Sequence, residues 1–160
     1  MKYRDILKIA AKCHDLGKVG VSDVILKKPG PGRFTPEERA IMMGHTCVGA
    51  QLFTEPESDI DEMSRDVALH HHEWWDGTGY PNHLCGNAIP LCARIMAVAD
   101  VFDALVTERP YKKAFSVNEA YDIIRKGRGS HFDPRIVDAF EAIRSQIEEI
   151  QANVGDGSEI

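Results

Sequence analysis

Arg94-Ile95-Met96-Ala97-Val98-Ala99-Asp100-Val101-Phe102-Asp103-Ala104-Leu105 decides how the rest of this chain is read. Apolar residues fill most of its positions, and with Pro90 ahead of it the run is too long for a buried strand of about 4–8 residues. As a helix from Pro90 to Leu105 it is apolar nearly all round, so other helices must cover it. Asp100 stands in the middle of that apolar run. A carboxylate there loses its hydration unless it is paired or bound to a cation. Its ordinary reading is an ion pair with Arg94.

Outward from this helix the apolar period stays helical, with no strand-like alternation, and the expected fold class is all-α, a helical bundle. The first helix is expected from Tyr3 to Asp15, with Tyr3, Leu7, Ala10 and His14 along one side and Gly17 loosening the backbone beyond it. Residues 22–34 read as loop. Thr35-Pro36-Glu37-Glu38 is a helix start, with Thr35 capping Glu38 and Pro36 at the first helical position. That helix is expected to carry Ile41, His45, Val48 and Leu52 on one face. Ser58 to His71 uses Ile60, Met63, Val67 and His71 in the same way. Residues 76–90, rich in glycine and proline, read as an ordered loop. Ser116-Val117-Asn118-Glu119 is a second capping box, opening a helix that fades at Gly127. Phe132-Asp133-Pro134 starts a last helix with Val137, Phe140, Ile147 and Ile150 inward. The expected organisation is one domain, 1–152, and a polar tail, 153–160.

The 160 residues and 17.8 kDa suit one folding unit, and 43% apolar with 28% charged residues is an ordinary globular composition. A net charge of -6 and a pI near 5.6 argue against binding a nucleic-acid polymer, which needs a basic footprint. They leave room for a small phosphate ligand held by a few local cations. Cys13, Cys47, Cys85 and Cys92 form no CxxC pair, and as free thiols they suit a reducing, cytoplasmic setting. The first residues lack the apolar stretch of a signal peptide, and no apolar run nears the ~18 residues of a membrane span.

Seven histidines are the anomaly. His14 is followed at once by Asp15, His70, His71 and His72 are consecutive, and His45 sits alone in an amphipathic helix. Each alone has an ordinary reading as a core or surface histidine. Together with Asp100 they place imidazole and carboxylate donors on four different helices, which suits a metal site in a bundle core.

The stretches HDLGK (14–18), HHEWWDGTGYP (71–81) and ADVFDALVTERPYKKA (99–114) resemble the HD-GYP branch of the HD phosphohydrolase superfamily. The likeness runs from about Ala10 to Phe140. It implies a helical bundle of the HD type around a two- or three-metal centre rich in iron or manganese, and hydrolysis of cyclic di-GMP to a linear dinucleotide and/or GMP. Carried over by motif, His14 and Asp15 are metal ligands with Asp15 bridging two ions, His45, His71 and His72 complete the shell of the second ion, and Asp100 binds the first. Asp15 and Lys18 are the expected catalytic residues, Lys18 reaching a phosphate oxygen. Tyr80, Arg109 and Lys112 join Lys18 in binding substrate. No cysteine stands at a ligand position, which favours iron or manganese over a closed zinc site. Trp74 and Trp75 are expected to pack, Asp103 to support a neighbouring contact, and His70, His83 and His131 to be ordinary residues. The GYP loop could receive a signalling partner or a second copy of the chain.

The wider superfamily takes a further metal-binding histidine, and in three-metal members a glutamate, from upstream of the HD pair. The 13 residues before His14 contain neither. Either the chain is a fragment whose upstream helix or helices are missing, or its first metal site is incomplete. The expectation is that the chain as given holds the first ion less firmly than the second and has reduced activity. Two alternatives stand beside the main reading: an HD phosphohydrolase for another cyclic dinucleotide, and a weakly active or inactive nucleotide-binding or protein-interaction module.

Overall fold

In the computed structural model, which describes residues 1–28, 34–108 and 113–155 with side chains to residue 152, the described helices are α1 (Tyr3–Ala10), α2 (Asp23–Leu26), α3 (Pro36–Met43), α4 (His45–Gln51), α5 (Asp59–His70), α6 (Leu91–Val106), α7 (Val117–Lys126), α8 (Pro134–Ala142) and α9 (Arg144–Gly155). Tight 3-10 turns lie at Ala11–Cys13, Leu16–Gly20 and Gly86–Ala88. The described residues contain no strand, only an isolated bridge between Arg128 and Phe132. None of their helices is long and apolar enough to cross a membrane. The fold is all-α, as the composition of the central run requires.

Helix α6 is the axis. Its N-terminal half packs Cys92 and Met96 against Ala10 of α1 and Val67 of α5. Its C-terminal half packs Ala97, Val98 and Phe102 against Tyr121 and Ile124 of α7, Phe132, and Val137 of α8. Phe102, Tyr121 and Phe140 meet in edge-on and stacked pairs with centroids 4.6–5.6 Å apart. Helix starts follow the sequence signals. Thr35 Oγ1 accepts the Glu38 amide at 3.3 Å while Glu38 accepts the Thr35 amide at 2.9 Å, and Ser116 and Glu119 repeat the pattern. Ser58 caps α5 and Asp133 caps α8.

Several expectations need correction. The first α-helix stops at Ala10 and tightens into the 3-10 turn Ala11–Cys13. Its buried face is Ile6 and Ala10, and Tyr3 is 45% exposed. Gly17 does not loosen the chain. It is buried, and a Cβ there would lie 1.8 Å from the His45 carbonyl oxygen, so the second 3-10 turn and α4 meet backbone to backbone. The helix expected to run through His45 breaks at Gly44 into α3 and α4. Helix α4 buries His45, Thr46, Gly49 and Ala50, and Ile41 and Leu52 are exposed. The expected loop 22–34 contains the short helix α2. The last helix breaks at Ile143, and Ile150 on α9 is exposed. Helix α9 runs from Arg144 to Gly155. Arg94 pairs with Asp133, not Asp100, at 2.7 Å, an ion pair that ties α6 to the start of α8. Cys13, Cys47, Cys85 and Cys92 are free thiols.

Candidate metal centre

Four chain segments end or bend at one place beside α6. The 3-10 turn after α1 delivers His14, and Asp15 follows as the pivot between that turn and the next. The break at Gly44 makes His45 the first residue of α4. The end of α5 delivers His71 and then His72. Asp100 projects from α6, and its Oδ1 lies 3.7 Å from His14 Nε2.

Hydrogen bonds decide which ring nitrogen faces inward. His14 Nδ1 lies 2.8 Å from the Ala11 carbonyl, His45 Nδ1 2.7 Å from that of Met42, and His71 Nδ1 2.9 Å from that of Val67. A carbonyl only accepts, so each Nδ1 carries a proton; the Nε2 of His45 and of His71 then presents a lone pair, whereas His14 Nε2–H donates to Asp15. His45 Nε2 and His71 Nε2 are then 3.4 Å apart with no proton between them. Donor atoms of His45, His71 and His72 all lie within 4.8 Å of one another. Burial, followed by the neighbouring imidazoles, pulls His71 down to about 4 and His72 down to about 2, and burial also lowers His45. Two facing lone pairs that resist protonation repel each other unless a cation stands between them. The donor set therefore fits a divalent metal ion.

Asp15 joins this trio to the other half of the cluster. Its Oδ1 is 3.5 Å from His45 Nε2, and its Oδ2 is 3.2 Å from His14 Nε2. Lys18, three residues on along the 3-10 turn, places Nζ 2.5 Å from the same Oδ2. Burial would raise the Asp15 carboxyl, but hydrogen bonds from His14 and Lys18 and the Lys18 charge hold it well below the usual carboxylate range. The hydrogen bond to Asp15 raises His14 against the opposing effect of burial. Tyr80 stacks on His72 with centroids 4.8 Å apart and planes 24° apart. The structure thus brings His14, Asp15, His45, His71, His72 and Asp100 together, with Lys18 and Tyr80 at their edge. Arg109 and Lys112 lie outside the described residues.

Glu73 is a residue beside the centre whose part sequence reasoning missed. It is 2% exposed, and its two oxygens accept the amides of Asn82 at 2.7 Å and Leu84 at 3.1 Å. Between those amides His83 sits at φ +55, a left-handed conformation uncommon for a side-chain-bearing residue. Gly79 passes so close to the chain at 72–74 that a Cβ would lie 2.2 Å from the Trp74 nitrogen. Together these contacts fix the loop that carries Tyr80, including its cis Tyr80–Pro81 bond. A carboxylate directly after the double histidine was the available signal, but nothing in sequence says which amides it meets. The ordinary readings of two other residues have definite forms. His131 stacks between Trp74 and Phe132, and His70 is buried with its Nδ1 3.8 Å from Glu73, too far for a hydrogen bond.

Comparison with known proteins agrees with this arrangement. The family described as HD domain matches residues 3–136. A cyclic di-GMP phosphodiesterase of Vibrio cholerae is 45% identical over 161 residues, covering 98% of this chain and 32% of that protein. The cyclic di-GMP phosphodiesterase response regulator RpfG of Xanthomonas campestris is 45% identical, covering 91% of this chain and 38% of its own length. A crystal structure of a cyclic GMP-AMP-specific phosphodiesterase of V. cholerae superposes with a TM-score of 0.60 at 25% identity, covering 90% of this chain and 38% of that one. The chain thus spans about a third of the length of these relatives. With the HD pair at 14–15, the HHExxDGxGYP motif at 71–81 and a helical fold that gathers both at one centre, the chain belongs to the HD domain family, in its HD-GYP branch.

Proposed function

We propose that this chain is the catalytic domain of a phosphodiesterase that hydrolyses cyclic di-GMP to a linear dinucleotide and/or GMP, using two divalent ions, iron or manganese. The observation that carries this reading is the 3.4 Å approach of two unprotonated Nε2 atoms beside a carboxylate shared with a second histidine. His45, His71 and His72 would hold one ion, His14 and Asp100 the other, and Asp15 both. When bound, such a pair supplies an activated water and neutralises charge on the phosphodiester.

The rest of the task falls to the chain's own groups. The carbonyls of Ala11, Met42 and Val67 lock the rings of His14, His45 and His71 with Nε2 inward, so the rings need little reorientation on loading. Lys18 holds Asp15 in place and, with its side chain 42% exposed, offers a cation to a phosphate oxygen at the rim. Burial, then the charges of Asp15 and Asp100, push the Tyr80 hydroxyl up, so it stays a hydrogen-bond donor through the neutral range. Arg109 and Lys112 join the substrate set on the strength of the motif alone. The absence of thiolate from the donor set supports iron or manganese. A second reading, a 3′3′-cGAMP phosphodiesterase, has support in relatives of that name from V. cholerae at 37–39% identity.

The test is anaerobic purification, metal analysis and hydrolysis of cyclic di-GMP and 3′3′-cGAMP by the iron- and manganese-loaded protein, for this chain and for the full-length gene product. Two metal equivalents and turnover abolished in Asp15→Asn are expected. Full metal loading without hydrolysis of either dinucleotide overturns the reading.

A further inference from the structure

A groove of about 420 Å³ opens beside Tyr80, between α3 with the start of α4 and the loop that Glu73 holds. Its size falls in the range of ~300–1,000 Å³ typical of small-molecule sites. Pro36, Ala40 and Met43 give it one flat apolar wall, and Tyr80 and His83 the other. Three features set it apart from an ordinary surface crevice. Tyr80, whose ring stacks on the candidate ligand His72, is a wall common to the groove and the metal centre. His83 faces it from a left-handed backbone, and strain of this kind persists only where surrounding structure enforces it, as the buried Glu73 carboxylate does here. Arg39 lines the groove and joins no ion pair among the described residues, although its charge is felt at the Tyr80 hydroxyl.

Apolar walls and a guanidinium that joins no ion pair among the described residues are the chemistry of a purine site. A purine stacks on flat apolar and aromatic surfaces with little regard to its identity. A guanidinium pairs bidentately with the O6 and N7 acceptors of guanine, whereas adenine presents an amino donor where guanine has O6. We propose that the groove between α3 and the loop at residues 80–83 seats one guanine base of the dinucleotide, with Arg39 reading its O6/N7 edge. The inference rests on the phosphodiesterase reading for its substrate and adds to it a base subsite and a specificity residue.

Calorimetric titration of the metal-loaded protein with cyclic di-GMP and with cyclic di-AMP tests it, in wild type, Arg39→Ala and Ala40→Trp. Arg39→Ala removes the edge contact. Ala40→Trp fills the groove from an exposed helix position, leaving the centre's own residues untouched. Wild type should bind cyclic di-GMP roughly 10–100-fold more tightly than cyclic di-AMP, the discrimination expected of one bidentate contact. Arg39→Ala should lose most of that preference. Ala40→Trp should weaken both ligands at least 10-fold, with metal content and helical circular dichroism as in wild type. Unchanged affinities in Ala40→Trp, or a guanine preference kept in Arg39→Ala, overturn the subsite, as does a wild type that binds neither dinucleotide. Wild-type hydrolysis of bis(p-nitrophenyl) phosphate, a diester without bases, reports the centre separately. No hydrolysis of it or of cyclic di-GMP, with the binding pattern intact, sinks the phosphodiesterase reading and upholds the subsite.

Discussion

Replacing Glu73 by Gln changes one oxygen to an amide nitrogen at nearly constant volume, and the structure fixes what that must do. In the native protein one oxygen accepts the Asn82 amide at 2.7 Å and the other accepts the Leu84 amide at 3.1 Å. Glutamine keeps one acceptor and turns an NH2 group toward the other N–H, two donors facing each other at a side chain 2% exposed. Losing a hydrogen bond to a charged group costs about 1.5–3 kcal/mol. Release of His83 from φ +55 returns part of that, since a left-handed residue costs about 1–2 kcal/mol. The net expectation is about 1–2 kcal/mol of destabilisation. For a chain of this size that is a fall in Tm of roughly 2–8 °C. Scanning calorimetry measures the total. Amide hydrogen exchange locates it, because protection should drop at Asn82–Leu84 and not in α6 or α7. Glu73→Asp should behave similarly, since the shorter side chain cannot span both amides. A Glu73→Gln protein with wild-type Tm and wild-type protection at both amides would show that the carboxylate does not hold the loop.

Three further expectations come from the same geometry. Manganese at 100 times its dissociation constant should stabilise the wild type by about 2.7 kcal/mol, and His72→Ala, lacking one of three converging imidazoles, should lose most of that gain and about one metal equivalent; equal Tm shifts in both proteins by differential scanning fluorimetry would contradict the assigned trio. His131 is lowered by burial from 6.5 to about 4, so the unfolded chain takes up its proton first as pH falls. Stability is therefore complete above about pH 6.5 and is lost toward pH 4, by about 1–3 kcal/mol after allowance for partial exposure, and urea titrations should show a flatter slope over that window in His131→Phe. Gly17→Ala places a methyl 1.8 Å from the His45 carbonyl oxygen, so it should destabilise by about 1–3 kcal/mol or more and lower metal affinity by displacing His45, whereas a variant with wild-type Tm and metal content would mean the two backbones are not in contact.

The class of the fold and the residues of the candidate centre were legible in one dimension because both rest on local signals. An apolar run too long for a strand dictates a buried helix, and Thr35, Ser58, Ser116 and Asp133 mark helix starts through bonds that span two or three residues. The motif residues at 14–15 and 71–72 marked side chains that the fold gathers at one place, for the same reason. What the sequence could not supply were consequences of two distant segments meeting. Gly17 looked like a place of looseness until the His45 carbonyl was found against it. Arg94 had an acid on its own helix six residues away, yet its partner is Asp133, brought in by α8 packing. Helical periodicity ran unbroken through Gly44, yet α3 ends at Met43 and α4 begins at His45, whose ring meets Asp15 and His71 from distant segments. Glu73, although part of the motif at 71–81, and Arg39 were assigned no role because their surroundings exist only after folding: Glu73 meets amides nine and eleven residues away, and Arg39 lines a groove shared by α3 and the loop. Residue type and short spacing determine which groups can do chemistry, whereas long-range contact determines their partners, because burial and direction are set by segments far apart in the chain.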